Sequence, residues 1–254
     1  MNRTTTFVLA SAGLLFAACA DSEPKPQLSA AEYDEVAQSL GGAVVMSSGG
    51  GELGAVSDSV AIALGDVPLG FRVSGSGQIE GQHGGLEYRY QVTCRDAAGQ
   101  ELPACNDTTD RAGVTVAWSG QLELPRFRIA SERNGAWTLS ELQSETAAFA
   151  GTSDFHVNVA TEPHQGPALR TYDLSYTAEY EGIEVDVAAG RITAGRAHLA
   201  VAAERTQTGN GQDQELTFEV DAVLTFDGDN TATLVIDGTH TFEIDLNSGR
   251  VSRR

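Results

Sequence analysis

The amino-acid sequence predicts a mainly β protein: a large curled antiparallel meander of about a dozen strands, with one or two N-terminal helices packed on its apolar face. Three observations carry that expectation. From Phe71 onward apolar and polar residues alternate with a period of two, and the alternation runs to the C-terminus. Glycine-bearing turn sequences punctuate it at short intervals, as sequential hairpins require. Upstream of Phe71 the apolar residues recur at helical spacing instead, so that segment carries stripes in need of a covering surface.

Taken in order, the chain begins with Met1-Asn2-Arg3, followed by the apolar run Phe7-Val8-Leu9-Ala10-Ser11-Ala12-Gly13-Leu14-Leu15-Phe16-Ala17-Ala18 and then Cys19. A positive charge, a short apolar run and small residues before a cysteine read as a secretory signal, too short to serve as a permanent membrane span. Phe16-Ala17-Ala18-Cys19 resembles the bacterial lipobox, in which the cysteine becomes the lipid-modified first residue of the mature chain. The same residues also offer Ala18-Cys19-Ala20, an A-x-A-like site for ordinary signal peptidase. The lipobox resemblance implies a signal peptide over 1–18 and lipidation at Cys19. Ala20, rather than aspartate, then implies outer-membrane sorting by similarity to the enteric rule. Residues 19–28 follow as a polar, proline-bearing tether.

The helical segment spans 29–64. Ser29 and Glu32 form an S-x-x-E capping box, with Leu28 and Tyr33 placed as a hydrophobic staple. Tyr33, Val36, Ala37, Leu40 and Val44 then mark one apolar face, and Gly41-Gly42 is expected to weaken the helix end. After the breaker Ser47-Ser48-Gly49-Gly50-Gly51, a second helix is expected from Glu52 to Leu64 with Leu53, Val56, Val60 and Leu64 on one side, although Ser57-Asp58-Ser59 also suits a turn.

The antiparallel β domain covers 65–254. Leu86, Tyr88, Tyr90, Val92 and Cys94 share a face; Val114, Val116 and Trp118 continue it; Phe155, Val157 and Val159 resume it after a less regular middle. Tyr172 to Tyr180 and Leu216 to Phe226 alternate most cleanly. Turns are expected at Glu181-Gly182, Ala189-Gly190, Asp227-Gly228-Asp229-Asn230, Asp237-Gly238 and Asn247-Ser248-Gly249, and a long polar hairpin tip at Thr206–Asp213. One face is apolar and the other polar and mostly acidic, so the apolar face must be covered. A sandwich or closed barrel would do this; a sheet curled round the two helices also gives the helical stripes their partner, and is the favoured arrangement.

Composition narrows function. The formal charge is −19, and the leader holds only Arg3, so the mature body is more negative still. Such a field opposes binding to nucleic acid, and Arg126-Phe127-Arg128 and Arg253-Arg254 are too short to form a basic patch. Lys25 is the only lysine, so the folded body holds none for a Schiff base or a P-loop. With Cys19 lipidated, Cys94 and Cys105 remain as an even pair in an oxidising compartment and are expected to form a structural disulfide worth on the order of 3 kcal/mol. No redox or zinc spacing accompanies them.

Tests for chemistry return little. His83, His156, His164, His198 and His240 are scattered, without metal-ligand spacing, and are expected on strand faces or the surface. Ser74-Gly75-Ser76-Gly77 lacks the glycine two before the serine that a nucleophile elbow needs. Asp227-Gly228-Asp229-Asn230 reads as a hairpin turn, because Ala232 and Gly238 stand where an EF-hand loop has glycine and glutamate. Glu179, Glu181, Glu184 and Asp186 could cluster on a hairpin, but glycosidic chemistry needs a cleft that raises one acid. No catalytic residue, metal or cofactor is assigned.

The expectation is therefore a lipid-anchored cell-envelope protein of structural or partner-binding role, not an enzyme, contacting the membrane through its anchor, with an envelope protein as candidate partner and no nucleic acid. An alternative is a periplasmic carrier of a lipid or other apolar ligand. A long curled sheet with helices against its concave face is similar in architecture to the lipoprotein carriers of the Lol system, which implies a cavity for acyl chains. A membrane-spanning barrel fits less well, since aromatic residues are only 7%, too few for two girdles.

Overall fold

The computed structural model describes residues 28–45, 51–74, 78–83, 85–124, 127–161, 169–209 and 213–254. Two helices, α1 (Ala30–Val45) and α2 (Glu52–Ala63), precede twelve strands. These are β1 (Phe71–Val73), β2 (Ile79–His83), β3 (Leu86–Arg95), β4 (Arg111–Leu124), β5 (Phe127–Ser140), β6 (Thr146–Thr161), β7 (Leu169–Asp186), β8 (Arg191–Thr208), β9 (Gln214–Phe226), β10 (Thr231–Ile236), β11 (His240–Asp245) and β12 (Val251–Arg253). Each strand pairs antiparallel with its sequence neighbours in one unclosed sheet, so the expected meander is the observed one.

The sheet curls because its strands must cover two helices. α2 packs on β3 and β4 and also on β8, four strands further along, while α1 packs on β10, β11 and β12. Val36, Ala37, Leu40, Ala55 and Val56 are completely buried in the same core cluster as the inward residues of the sheet. Small inward strand residues, among them Ala178, Ala197, Ala203, Ala222 and Ala232, let the helices approach closely.

α1 starts as its sequence requires. The Ser29 amide donates to Glu32 Oε2 at 2.6 Å, and the Glu32 amide donates to Ser29 Oγ at 3.4 Å. The bond from the Ser29 amide is the main reason the Glu32 carboxyl lies below its ordinary range. The sheet holds the same end from outside: Arg205 reaches Glu32 and Glu35 at 3.2 and 3.1 Å, Arg253 reaches Asp34 at 2.9 Å, and the Tyr33 hydroxyl donates to Asp237 at 2.9 Å.

Two sequence expectations need correction, and one open choice is settled. Gly41-Gly42 does not weaken the end of α1, which continues to Val45; Gly41 is the point of closest approach, where a Cβ would stand 2.5 Å from Val251 Cγ2. The second helix is present as expected, and of the two readings of Ser57-Asp58-Ser59 the helical one holds, with Ser59 Oγ bonded back to the Ala55 carbonyl at 2.7 Å. Glu181-Gly182 is not a hairpin turn: β7 runs on to Asp186, and the register shifts between Glu181 and Glu184 as a bulge. Gly182 takes φ 58° there, and opposite it a Cβ on Gly195 would collide with the Gly182 carbonyl oxygen at 2.4 Å, so two glycines let this strand pair bend.

Candidate functional site

Where α2 begins, four adjacent strands bring polar and aromatic groups to one buried point. Trp118 on β4, Arg133 on β5, Phe155 on β6 and Tyr176 on β7 are register partners in a single cross-strand row. The period of two puts residue 133 on the face of Trp137 and Leu139, which are buried, so the sheet itself carries an arginine into the core. Its side chain has 0% exposure. A guanidinium stays protonated in proteins, so this position needs a counter-charge and acceptors.

α2 supplies the counter-charge. Its buried stripe is Glu52, Ala55, Val56, Ser59, Val60 and Ala63, with Ile62 also buried, whereas Leu53 and Leu64 are only partly buried. The stripe is thus rotated from the expected Leu53-Val56-Val60-Leu64 line, and the rotation turns Glu52 inward. Glu52 is the first residue of the helix, where the backbone dipole favours a carboxylate. Its Oε1 stands 3.1 Å from Arg133 Nη1, a close ion pair without hydrogen-bond alignment. Arg133 Nη2 makes a very short contact with the Tyr176 hydroxyl. Tyr176 and Ser153 hydroxyls donate to Glu52 at 3.5 Å each, long and therefore weak, and Ser153 also meets the Tyr180 hydroxyl at 2.9 Å.

The rings of Phe155, Tyr176 and Trp118 surround the guanidinium, with centroids 5.1, 5.5 and 5.7 Å from Cζ. Burial alone would lower the basicity of Arg133, and the adjacent Glu52 and Tyr176 more than offset it. Burial pushes the hydroxyls of Tyr176, Tyr88 and Tyr90 well above the ordinary tyrosine range; nearby Asp58, hydrogen-bonded by Tyr90 at 3.2 Å, adds to the effect on Tyr88 and Tyr90. Chemically this is a clamp on the start of α2. Both charges are buried beneath the helix they hold, with side-chain exposures of 0% and 2%.

No known protein family, curated protein or solved structure matches the chain. The site must be read from its own residues.

Of the residues singled out by sequence, Cys94 and Cys105 are bonded, with their Cα atoms 5.3 Å apart, and Cys94 Sγ lies 3.8 Å from the carbonyl of Ala63 at the end of α2. The disulfide therefore secures the loop under which α2 finishes. Cys19, the leader, the tether before Leu28, His164, Gly75-Ser76-Gly77 and 210–212 in the polar loop lie outside the described residues. His156 sits on the outer face at 2.9 Å from Asp173 and 3.9 Å from Glu132, and His198 lies 3.4 Å from Glu181. His240 stacks on Tyr33 at 3.7 Å between centroids. Asp227–Asn230 forms the β9–β10 hairpin turn, with Asp229 accepting from the amide and hydroxyl of Thr231. Glu179, Glu181, Glu184 and Asp186 do not share a hairpin; they are spread along β7 across the bulge.

Sequence reasoning missed Glu52 and Arg133. Glu52 had a signal, since small and apolar residues recur at the third, fourth, seventh, eighth and eleventh positions after it. Arg133 lay in the polar run Ser131-Glu132-Arg133-Asn134-Gly135, and only counting back from Trp137 in steps of two assigns it inward.

Proposed function

We propose that the protein is a lipid-anchored cell-envelope protein with a non-catalytic, structural or partner-binding role. The observation that carries this reading is that the concave face, the place where a sheet of this shape would hold a ligand, is occupied by the chain's own helices. α2 is clamped there by Glu52 and Arg133, and α1 by the Arg205 and Arg253 ion pairs. The outer face then remains for partners. It carries polar side chains, among them the ion pair of Arg196 with Glu181 and the contact of His156 with Asp173. That chemistry suits a polar protein surface, and the charge of −19 opposes nucleic acid.

The address rests on the leader sequence ending at Cys19, and Ala20 supports the outer membrane. Metabolic labelling with a fatty acid tests it. Wild-type protein is expected to carry label and fractionate with membranes, and Cys19→Ala to lose both; equal labelling of the two would refute the anchor.

The carrier reading has one observation in its favour. Arg133 Nε and the indole N–H groups of Trp118 and Trp137 are buried donors without an acceptor among the described residues.

A further inference from the structure

We infer that one end of the curled sheet, marked by Leu69 and Leu169, rests on the lipid surface to which the chain is anchored; this builds on the lipid-anchor reading above. An antiparallel meander sorts its connections between two ends. One end carries the β2–β3, β4–β5, β6–β7, β8–β9 and β10–β11 connections, and the other carries β1–β2, β3–β4, β5–β6, β7–β8, β9–β10 and β11–β12.

α1 begins at the first of these ends. Its first turn is held by Arg205, near the close of β8, and by Asp237, just past the close of β10. The chain from Cys19 must therefore arrive at that end. Cys19 is nine residues before Leu28, so a lipid on Cys19 lies within about 30 Å of it even when the intervening chain is fully extended.

Among the described residues two of the four large exposed apolar side chains, Leu69 and Leu169, stand at that end, whereas Val73, 59% exposed, closes β1 toward the other. Leu69 is 97% exposed at a tight turn closed by the Phe71 amide on the Pro68 carbonyl at 3.0 Å. The turn stands beside the end of β2, since Gly70 lies against the Gln82 carbonyl. Leu169, 39% exposed, opens β7 at the same end, with exposed Arg170 next to it. The opposite end presents acidic side chains in its connections, among them Glu101, Asp107, Glu141, Glu145, Asp227 and Asp229, all exposed. Asp213, Glu215 and Asp237 are exposed at the first end as well, so it is the pair of leucines beside the anchored N-terminal helix, not charge, that suits this end to a bilayer.

The test uses the full lipidated chain in vesicles of phosphatidylethanolamine and phosphatidylglycerol carrying a headgroup-proximal nitroxide lipid quencher. Leu69→Cys, Leu169→Cys and Asp229→Cys are each labelled with an environment-sensitive fluorophore, and vesicle flotation is scored in parallel. Loss of fluorescence at 69 and 169 with retention at 229 is the expected result. Floating protein that loses no fluorescence at 69 and 169, or loses as much at 229, overturns the docking inference and leaves the anchor standing. Protein that fails to float overturns the anchor itself, and the docking inference with it.

Discussion

Glu52 and Arg133 give the sharpest quantitative test of the packing, because they are the two buried charges among the described residues. Replacing Glu52 with leucine leaves a guanidinium of 0% exposure with the Tyr176 hydroxyl and three aromatic rings, none of which cancels its charge. Removing one member of such a pair costs about 3 to 5 kcal/mol, a large share of the roughly 5 to 15 kcal/mol by which a domain is stable. Arg133→Met exposes the converse problem, a carboxylate of 2% exposure with two 3.5 Å hydroxyl contacts and the α2 dipole to support it. The helix terminus returns at most about 2 kcal/mol of that loss. The double variant removes both charges and fills the space with apolar groups, so it should lie within about 2 kcal/mol of wild type. Urea unfolding followed by the fluorescence of Trp118 and Trp137, which flank the site, measures all four proteins. Should a single variant fail to fold, a folded double variant still shows the coupling. Additive losses in the double variant, or single losses below about 1 kcal/mol, would refute the buried-pair account.

Other consequences follow from the same geometry. Cys94→Ser with Cys105→Ser should lower stability on the order of 3 kcal/mol while the far-ultraviolet circular dichroism keeps its β signature, measured by urea unfolding. Gly41→Val should cost about 1 to 3 kcal/mol, because its Cβ would meet Val251 Cγ2 at 2.5 Å and the Gly249 carbonyl at 3.0 Å; an unchanged midpoint would mean α1 does not sit on β12 as described. Burial pushes the Tyr172 hydroxyl up to about 12, and the shifts of Tyr88, Tyr90 and Tyr176 have the same sign. A raised folded-state value means that stability is full below the ordinary tyrosine value near 10 and is lost as pH climbs through 12. Alkaline unfolding should therefore coincide with a cooperative rise of tyrosinate absorbance in that window, and gradual titration without unfolding would contradict it.

The sheet was legible because alternation is a strong signal wherever one face is buried and the other wet. Leu86 to Cys94 and Tyr172 to Tyr180 display it with hardly an exception, and Ser29 with Glu32 marked the first helix in the same direct way. The candidate site was not legible, for a physical reason: its members break the pattern that reveals everything else. A charged residue at an inward position reads as an interruption until a counter-charge from a distant element is known, and Glu52 is 81 positions from Arg133. Leu53 and Leu64 drew the stripe of α2 to the wrong side, because hydropathy favours large apolar groups while the crowded space under the sheet favours Ala55, Ser59 and Ala63. Gly182 was read as a turn because local sequence does not separate a bulge from a hairpin; the partner strand, through Gly195, decides between them.

The central claim is that the helices fill the concave face of the sheet and leave it no cargo to carry. Native mass spectrometry of protein extracted from the cell envelope tests this most directly. The expected mass is that of the mature polypeptide with its covalent anchor and nothing further. A second lipid, retained non-covalently in stoichiometric amount and lost in Trp118→Ala, would contradict it and make the buried arginine a ligand site.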